Sequence, residues 1–405
     1  MAKRHLIGIG GVGMSALATA LLRLGDEVTG ADRTLGTPNI RFLESLGIRV
    51  FPDDGSGIDA ATDEVIVSTA IEETNPGLVR AKELGIPVTH RAKALARTLS
   101  GYKLVAVVGT CGKSTVTAML GHILTEGGFD PICVNGANVP GWEGAVRFGR
   151  GAYAVAAVDE SDKSLVAFKP YAAIVTNASA DHYSKEEMDE VFDAFIEDCP
   201  GPVVDGRKGL EGIEGLEVPI PGKHNVENAK LAVRMAVALG MEERAAVEAM
   251  ASFRGVERRL QQIRPAGDGM PAVYDDYAHN PEKIQAMWTT LAEKYPGGLC
   301  VIWRPHGYGP LRKLLDPLAE MFTATIRPQD KLLLLPVYDA GGTAFRGINS
   351  PMLAEKLPFG KVELVKDLDA AFGWCVIHAG EFACLVTCGA RDPGLPGLAR
   401  RLAAL

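Results

Sequence analysis

Short apolar segments rich in β-branched residues alternate with helical segments along almost the whole chain. The first unit reads HLIGIG, a predicted strand, then GMSALATALLRLG, a predicted helix, and then EVTGAD, the next strand. Strands that are joined through helices run parallel, and parallel sheets are covered by helices on both faces. This alternation therefore predicts the α/β class and excludes all-helical and all-strand folds.

The alternation falls into three series. The second begins near Leu104 and the third near Ile263, and the chain has 405 residues, more than one hydrophobic core usually organises. We therefore predict three domains, at residues 1–101, 102–263 and 264–405. The first and third should be Rossmann-like, and the central one should resemble a phosphate-loop ATPase.

Composition narrows the class of partners. The net charge of -8 disfavours nucleic acid, and no apolar run approaches the roughly 20 residues that span a bilayer. The seven cysteines include no CxxC pair, which is typical of reduced thiols and disfavours a disulfide framework. The first residues have glycines spaced as in a nucleotide loop and lack a clear cleavage site, so we expect a cytoplasmic protein with no signal peptide or membrane anchor.

A glycine-rich loop, GIGGVG, follows the first predicted strand. Gly8, Gly10 and Gly13 match G-x-G-x-x-G, and Asp32 follows at about the 20-residue spacing of a dinucleotide site. Glycines allow the tight turn, and backbone N–H groups at the start of the next helix face a diphosphate. By itself this loop would also suit an NAD dehydrogenase, or a close strand-to-helix turn that holds no ligand.

A second loop, GTCGKST, carries a more specific signal. It joins a buried strand to a helix and keeps the G-K-[ST] ending of a phosphate loop, although only two residues separate its glycines where the standard loop has four. Backbone amides and Lys113 should hold the β and γ phosphates, and the Ser114 hydroxyl should bind Mg²⁺. An NAD dehydrogenase would leave this loop without a use.

Polar clusters follow two further strands of the same series. They contain Asp159, Glu160 and Asp162 in DESD, and Asn177, Asp181 and His182 in NASADH. Acidic residues at strand ends are often only caps, and a lone histidine is often a surface residue. Beside a phosphate loop, however, carboxylates are suited to holding Mg²⁺ directly or through water.

With these residues in hand, the chain resembles the Mur ligase family from end to end. The resemblance lies in GIGGVGMSALA, GTCGKST, DESD, ADH, GKHNVENA, GVERRLQ, DDYAHNP and WRPHGYGPLRKL, in this order. It implies an ATP- and Mg²⁺-dependent ligase that joins a UDP-N-acetylmuramate-type carboxylate to an amino acid through an acyl phosphate, in peptidoglycan precursor synthesis. The similarity is strongest to the members that add L-alanine.

The resemblance also implies a role for individual residues. Catalytic roles fall on Lys113, Glu160, His182, Arg259 and Asp276. The ATP-binding residues are Gly109, Thr110, Cys111, Gly112, Lys113, Ser114, Thr115, Asn225, Asn228, Arg259 and Asp276. The metal ligands are Ser114, Glu160 and His182; the residues for the UDP-linked substrate are Gly8, Gly10, Gly11, Val12, Gly13 and Asp32; and those for the amino acid are Tyr277, His279 and Arg312.

Three departures from the family pattern bear on the substrate. Alanine-adding members carry arginines at the positions of Gly307 and Leu311, whereas Arg312 is kept. The DPGL after Arg391 departs from their closing glycine–aspartate pattern, and Cys111 stands where they have histidine. Two alternatives therefore stay open, a related ligase that adds another amino acid or a peptide, and a nucleotide-binding regulator without catalysis.

Overall fold

The computed structural model describes residues 1–159, 164–178, 185–339, 345–358 and 360–405. Within these ranges the chain forms three sheets in which parallel pairing predominates, and helices connect the strands. Two compact units contain them: Met1–Pro219 with His224–Val256, and Ile220–Lys223 with Glu257–Leu405. The predicted α/β class is confirmed, and the boundaries near residues 101 and 263 remain predictions.

The first sheet has five strands that all run parallel. Its strands are β1 (Lys3–Ile7), β2 (Glu27–Asp32), β3 (Arg49–Pro52), β4 (Glu64–Val67) and β5 (Val88–His90). Its helices are α1 (Val12–Arg23), α2 (Pro38–Ser45), α3 (Pro76–Glu83) and α4 (Arg91–Thr98). The strand order is β3-β2-β1-β4-β5, so the first glycine loop leaves the central strand.

The second sheet belongs to the same unit and has six strands, all parallel except for the pair at one edge. Its strands are β6 (Lys103–Val108), β7 (Ile132–Val134), β8 (Val146–Arg147), β9 (Tyr153–Ala157), β10 (Ala172–Val175) and β11 (Val203–Asp205). Its helices are α5 (Lys113–Glu126), α6 (Lys185–Glu197), α7 (Lys223–Ala238) and α8 (Glu243–Met250), with 3-10 turns at Ser164–Ala167 and Gly206–Lys208. The order is β11-β10-β6-β9-β7-β8, with only β7 and β8 antiparallel.

The third sheet lies in the second unit. Its strands are β12 (Gln261–Arg264), β13 (Ala272–Asp276), β14 (Leu299–Trp303), β15 (Lys331–Leu334), β16 (Val362–Leu364) and β17 (Cys384–Cys388). Its helices are α9 (Pro281–Lys294), α10 (Tyr308–Thr325), α11 (Ser350–Ala354), α12 (Leu368–His378) and α13 (Leu395–Ala403), with a 3-10 turn at Ala379–Glu381. The order is β12-β13-β17-β14-β15-β16, and only β12 is antiparallel to its neighbour.

Burial explains why these segments pack as they do. The strands of the third sheet are apolar on both sides, so one face packs against α9 and α10 and the other against α12 and α13. In the first unit, one apolar cluster contains Leu6 and Leu17 from the first sheet region together with Val108 and Val134 from the second. The two sheets of this unit therefore share a continuous core. Within the described residues, no helix combines the length and the apolar character that crossing a bilayer requires.

Candidate active site

The second glycine loop leaves β6, which lies between β10 and β9, and ends where α5 begins at Lys113. Its two glycines are both left-handed, with φ of +129° at Gly109 and +85° at Gly112. A Cβ atom would lie 2.1 Å from Thr176 Oγ1 at Gly109 and 2.6 Å from Asn228 Oδ1 at Gly112. Only glycine fits either position without a shift of its neighbours, because both the backbone angle and the space exclude a side chain.

Two side chains that follow β10 hold this loop in shape. The Asn177 carboxamide oxygen accepts hydrogen bonds from the Thr110 hydroxyl at 2.7 Å and the Cys111 N–H at 3.0 Å. The carbonyl of Cys111 accepts from Asn177 Nδ2 at 3.0 Å and from the Thr176 hydroxyl at 2.5 Å. The loop is therefore preorganised by the protein itself, which lowers the entropic cost of binding an anion there.

Lys113 is the first residue of α5, where N–H groups without helical partners and the helix dipole favour negative charge. Its ammonium group is half-buried and donates to the Gly109 carbonyl at 2.7 Å, so the charge lies over the loop. The next residue, Ser114, faces the turn after β7, because a Cβ atom at Gly136 would lie 2.9 Å from its hydroxyl oxygen. This arrangement can receive a polyphosphate.

The predicted metal site is only partly placed. Ser114 is described, and Asp159 lies just beyond β9, the neighbour of β6. Glu160 and His182, together with Asp162 and Asp181, lie outside the described residues. In the part of the chain that the structure describes, no three His, Cys, Asp or Glu side chains form a metal-binding group. The Mg²⁺ ligands therefore stay predictions.

The two predicted adenine asparagines lie on α7. Asn225 and Asn228 are 4% and 7% exposed, and Asn228 Nδ2 donates to Asn225 Oδ1 at 3.3 Å. Because Asn228 also approaches Gly112, the structure brings this pair to the start of α5. Their contact with adenine remains a prediction.

The first glycine loop is held by its predicted acidic partner. Gly8 is left-handed at φ +74°, and the Gly10 N–H donates to one oxygen of Asp32 at 2.9 Å. The other Asp32 oxygen accepts from the Thr34 N–H at 3.0 Å. Asp32 thus stabilises the backbone of the turn. Gly11 and Val12 stand at the start of α1, where the helix dipole is positive. A Cβ atom at the remaining glycine, Gly13, would lie 3.1 Å from Arg91 Nη1, a neighbour that the sequence did not reveal.

At the third sheet, Asp276 ends β13 and supports nearby backbone. Its two oxygens accept hydrogen bonds from the Leu260 N–H at 2.6 Å and the Ala278 N–H at 2.7 Å. These contacts join the VERRLQ segment to the turn after β13. A direct contact with the nucleotide, which the family resemblance implies for Asp276, remains a prediction.

The neighbouring Asp275 is fully buried, and sequence reasoning did not single it out. Its partners are Arg258 Nε at 3.2 Å and the Thr387 hydroxyl at 2.7 Å. Burial raises the pKa of Asp275 to about 6, although the charge of Arg258 opposes the shift. Of the two adjacent arginines, Arg258 therefore supports the sheet, and the predicted phosphate ligand Arg259 lies 5.1 Å from the Tyr277 ring centre. In the sequence, the two consecutive arginines of VERRLQ are the feature that indicates that one of them supports the interior of the protein.

Two of the three predicted amino-acid residues lie close together. The rings of Tyr277 and His279 are 5.6 Å apart, and the ring of His306, after β14, is 4.8 Å from His279. Burial lowers the pKa of His306 to about 4, with smaller contributions from the positive groups His279, Arg391 and Lys283. The third predicted residue, Arg312, instead lies 5.8 Å from the ring centre of Phe345.

Comparisons with known proteins match this chain along its whole length. The model described as Mur ligase family, catalytic domain, matches residues 3–103, and the model described as Mur ligase, glutamate ligase domain, matches residues 258–391. A UDP-N-acetylmuramate–L-alanine ligase of Paenarthrobacter aurescens is 33% identical over 439 residues, covering 96% of this chain and 94% of that protein.

Solved structures give the same picture. The crystal structure of a UDP-N-acetylmuramate-alanine ligase from Thermotoga maritima has a TM-score of 0.84 at 26% identity and covers 100% of this chain and 99% of its own. A murein peptide ligase from Psychrobacter arcticus has a TM-score of 0.70 at 20% identity, with 100% and 99% coverage, which shows a shared fold.

Proposed function

Because this chain belongs to the Mur ligase family, we propose that it is an ATP-dependent ligase that joins the carboxylate of UDP-N-acetylmuramate to L-alanine through an amide bond. The observation that carries the proposal is the phosphate loop after β6, held in shape by Asn177 and covered by the ammonium group of Lys113. The names of the relatives supply the substrates. The reaction belongs to peptidoglycan precursor synthesis, and its need for ATP places it in the cytoplasm.

The first step activates the acid. A carboxylate oxygen attacks the γ phosphorus of ATP, the bond to the β-phosphate oxygen breaks, and ADP leaves an acyl phosphate behind. Negative charge spreads over the oxygens of the transferring group, so fixed cations and N–H groups stabilise the transition state. Lys113 and the amides at the start of α5 fill this role, because the loop holds them in place before ATP binds.

The second step forms the amide. The uncharged amine of the amino acid attacks the acyl carbon, and the tetrahedral intermediate expels inorganic phosphate and loses a proton. The products are ADP, phosphate and the amide. The amino acid is proposed to bind at the carboxyl edge of the third sheet, where Tyr277 and His279 lie together.

Magnesium is the cofactor that this chemistry requires. The Ser114 hydroxyl lies at the loop beside the strand that leads to Asp159, and hydroxyl and carboxylate oxygens are the ligands this hard cation prefers. We assign Ser114, Glu160 and His182 to hold it. When bound, Mg²⁺ would offset the charge of the phosphates.

The first glycine loop is proposed to bind the UDP portion of the acid. Gly8 and Gly10 shape the turn, Asp32 fixes it, and the backbone amides of Gly11, Val12 and Gly13 stand at the start of α1, where a diphosphate is stabilised. On this proposal the first glycine loop binds UDP and does not bind NAD.

A ligase for another amino acid or a peptide is the second candidate, and Gly307 favours it. A Cβ atom at Gly307 would lie at ordinary contact distance from Pro310, 3.5 Å, and from Arg391, 3.7 Å, so the first atom of a side chain could be placed there without a clash. Glycine leaves that space beside the loop after β14 unfilled, which favours an amine larger than alanine.

The deciding experiment measures phosphate release from ATP. The protein is mixed with Mg²⁺, UDP-N-acetylmuramate and, one at a time, L-alanine, glycine, L-serine, D-glutamate and a short peptide, with Lys113→Ala as the inactive control. Release that needs both the nucleotide sugar and L-alanine supports the proposal, and preference for another amine favours the second candidate. Release that is absent with every amine would favour a regulator without catalysis.

A further inference from the structure

Three loops meet at the carboxyl edge of the third sheet. They follow β13 at residues 277–280, β14 at residues 304–307 and β17 at residues 389–392. Because β17 lies between β13 and β14, the loop that carries Arg391 emerges between the loops that carry His279 and His306. Ligands of open parallel sheets bind at this edge.

Arg391 is exposed, and its Nη1 lies 3.7 Å from the position of a Cβ atom at Gly307. Its neighbour Asp392 is bound elsewhere, to Arg304 at 2.6 Å and to the Gly394 N–H at 2.7 Å. Across the residues that the structure describes, the Arg391 guanidinium has no carboxylate partner. A planar group with several donors is therefore available at this edge.

A second cation, Lys283, acts on the region around Arg391. Burial, with smaller contributions from His279, Arg391 and Lys283, lowers the pKa of His306 to about 4, so this imidazole is uncharged at neutral pH. Two acidic side chains at this edge of the sheet already accept hydrogen bonds: Asp392 from Arg304 and the Gly394 N–H, and Asp276 from the N–H groups of Leu260 and Ala278. An anion placed here would meet attraction and little repulsion.

We propose that Arg391, on the loop after β17, binds the α-carboxylate of the amino-acid substrate. The inference rests on the proposed function. Arginine matches a carboxylate with two parallel hydrogen bonds, and Gly307 leaves open the space that such a pair needs. Gly307 and Arg391 lie on neighbouring loops, so the guanidinium of Arg391 can use the space beside Gly307.

Other arginines are less suited to the task. Arg304 is held by Asp392 and lies over Tyr338, and Arg312 lies over Phe345, which belongs to the segment after β15. Arg391 is the arginine beside Gly307 and the histidine pair. Arg391 would determine which amino acid binds. A clamp on the carboxylate holds the amino acid equally before and after acyl transfer, so it contributes to binding and not to the chemical step.

The test compares Michaelis constants for L-alanine and L-alaninamide, which lacks the carboxylate. Arg391→Ala should raise the KM for L-alanine about 10- to 100-fold, the usual effect of losing a hydrogen-bonded charge pair, and leave kcat and the KM for L-alaninamide almost unchanged. Arg400→Ala, at an exposed arginine of α13, is the matched control and should match the wild type.

A second variant guards against a general disturbance of the loop. The double variant Gly307→Arg with Arg391→Gly places a guanidinium group on the loop after β14 in place of the one on the loop after β17. It should restore the KM for L-alanine to within about threefold of the wild type. Gly307→Arg alone should weaken alanine binding, because two like charges would then share the space. Failure of the double exchange to improve on Arg391→Ala would count against the clamp.

The outcomes separate this inference from the proposed function. If the wild type turns over L-alanine and Arg391→Ala keeps its KM, the inference is overturned and the function stands. If no amino acid supports turnover, the function fails, and the site is tested by following the His306 imidazole by NMR during titration with L-alanine, L-alaninamide and inorganic phosphate. A response to L-alanine that Arg391→Ala abolishes supports the clamp; a response to phosphate alone, or to none of the three, overturns it.

Discussion

Asn177 illustrates how one side chain sets the geometry of a loop far from it in sequence. Its carboxamide binds the hydroxyl of Thr110 and both backbone groups of Cys111, so the loop cannot relax without losing three hydrogen bonds. Each such bond contributes about 1 kcal/mol, enough together to keep the loop in one conformation. The catalytic groups are therefore arranged before any phosphate arrives.

Lys113→Ala should abolish ATP turnover and leave the protein folded. The ammonium group donates to the Gly109 carbonyl at 2.7 Å and is only half-buried, so the loss of this hydrogen bond should cost about 1 kcal/mol of stability. A preorganised donor at developing charge is worth roughly 100- to 1000-fold in rate. Steady-state phosphate release measures this, with Lys169→Ala, an exposed lysine, as the control. Normal turnover by a folded Lys113→Ala protein would refute the role of the loop.

The buried carboxyl group of Asp275 should make the free energy of unfolding depend on pH. Burial raises its pKa from 3.8 to about 6, so between these values the native state keeps a proton that the unfolded chain has released. Its contribution is fully present below about pH 4 and is lost as the pH rises through about 6, a loss of about 3 kcal/mol. The carboxamide of the Asp275→Asn variant does not titrate in this range, so the variant lacks this pH dependence. The free energy of unfolding of the wild type relative to this variant should therefore fall between pH 4 and 7.

The measurement uses urea unfolding followed by tryptophan fluorescence, since Trp288 and Trp303 are buried in the same unit as Asp275. Other carboxylates titrate in both proteins, and the difference between the two curves cancels them. If the wild type instead gained stability with pH relative to Asp275→Asn, the charge of Arg258 would outweigh burial at this site.

At the scale of elements, one left-handed glycine, Gly112, precedes α5 and another, Gly128, follows it. The two positions allow a matched comparison. Gly112 has φ +85° and would place a Cβ atom 2.6 Å from Asn228, whereas Gly128 has φ +76° with open space around it. Alanine at either should cost about 1 to 2 kcal/mol from the backbone alone. Gly112→Ala should also displace the loop and lower turnover about 100-fold.

Thermal unfolding and phosphate release on both variants test this difference between the two ends of α5. Gly128→Ala should lose stability and keep its specific activity, because a Cβ atom there would meet no other group within 4 Å and Gly128 lies at the opposite end of α5 from the phosphate loop. Equal activity of the two variants would mean that the contact between Gly112 and Asn228 does not shape the loop.

At the scale of the molecule, the start of the third-sheet unit can be tested with fragments. A fragment of residues 257–405 keeps Arg258, the partner of the fully buried Asp275, and strand β12. A fragment of residues 264–405, which follows the boundary predicted from sequence, loses Arg258 and three of the four residues of β12. Removing one partner of a buried pair costs about 3 to 5 kcal/mol, so the shorter fragment should be less stable by at least that amount in urea. Equal stability would support the boundary at 263.

The sequence by itself determined the local features. The α/β alternation, the strand, loop and helix around Lys113 and the left-handed glycines can be read from short segments, because burial patterns and backbone sterics act over a few residues. The family resemblance came from the same short motifs, and the comparisons confirmed it.

Only the tertiary structure decided which distant side chains meet. Nothing in the local pattern around Cys384–Cys388 says that β17 enters between β13 and β14, yet this strand order brings Arg391 to Gly307. In the same way, Asp276 binds the backbone of Leu260 and Asn177 binds the loop before α5. The order of strands follows from how whole helices and sheets pack their apolar faces, and a period of two or 3.6 residues does not record it.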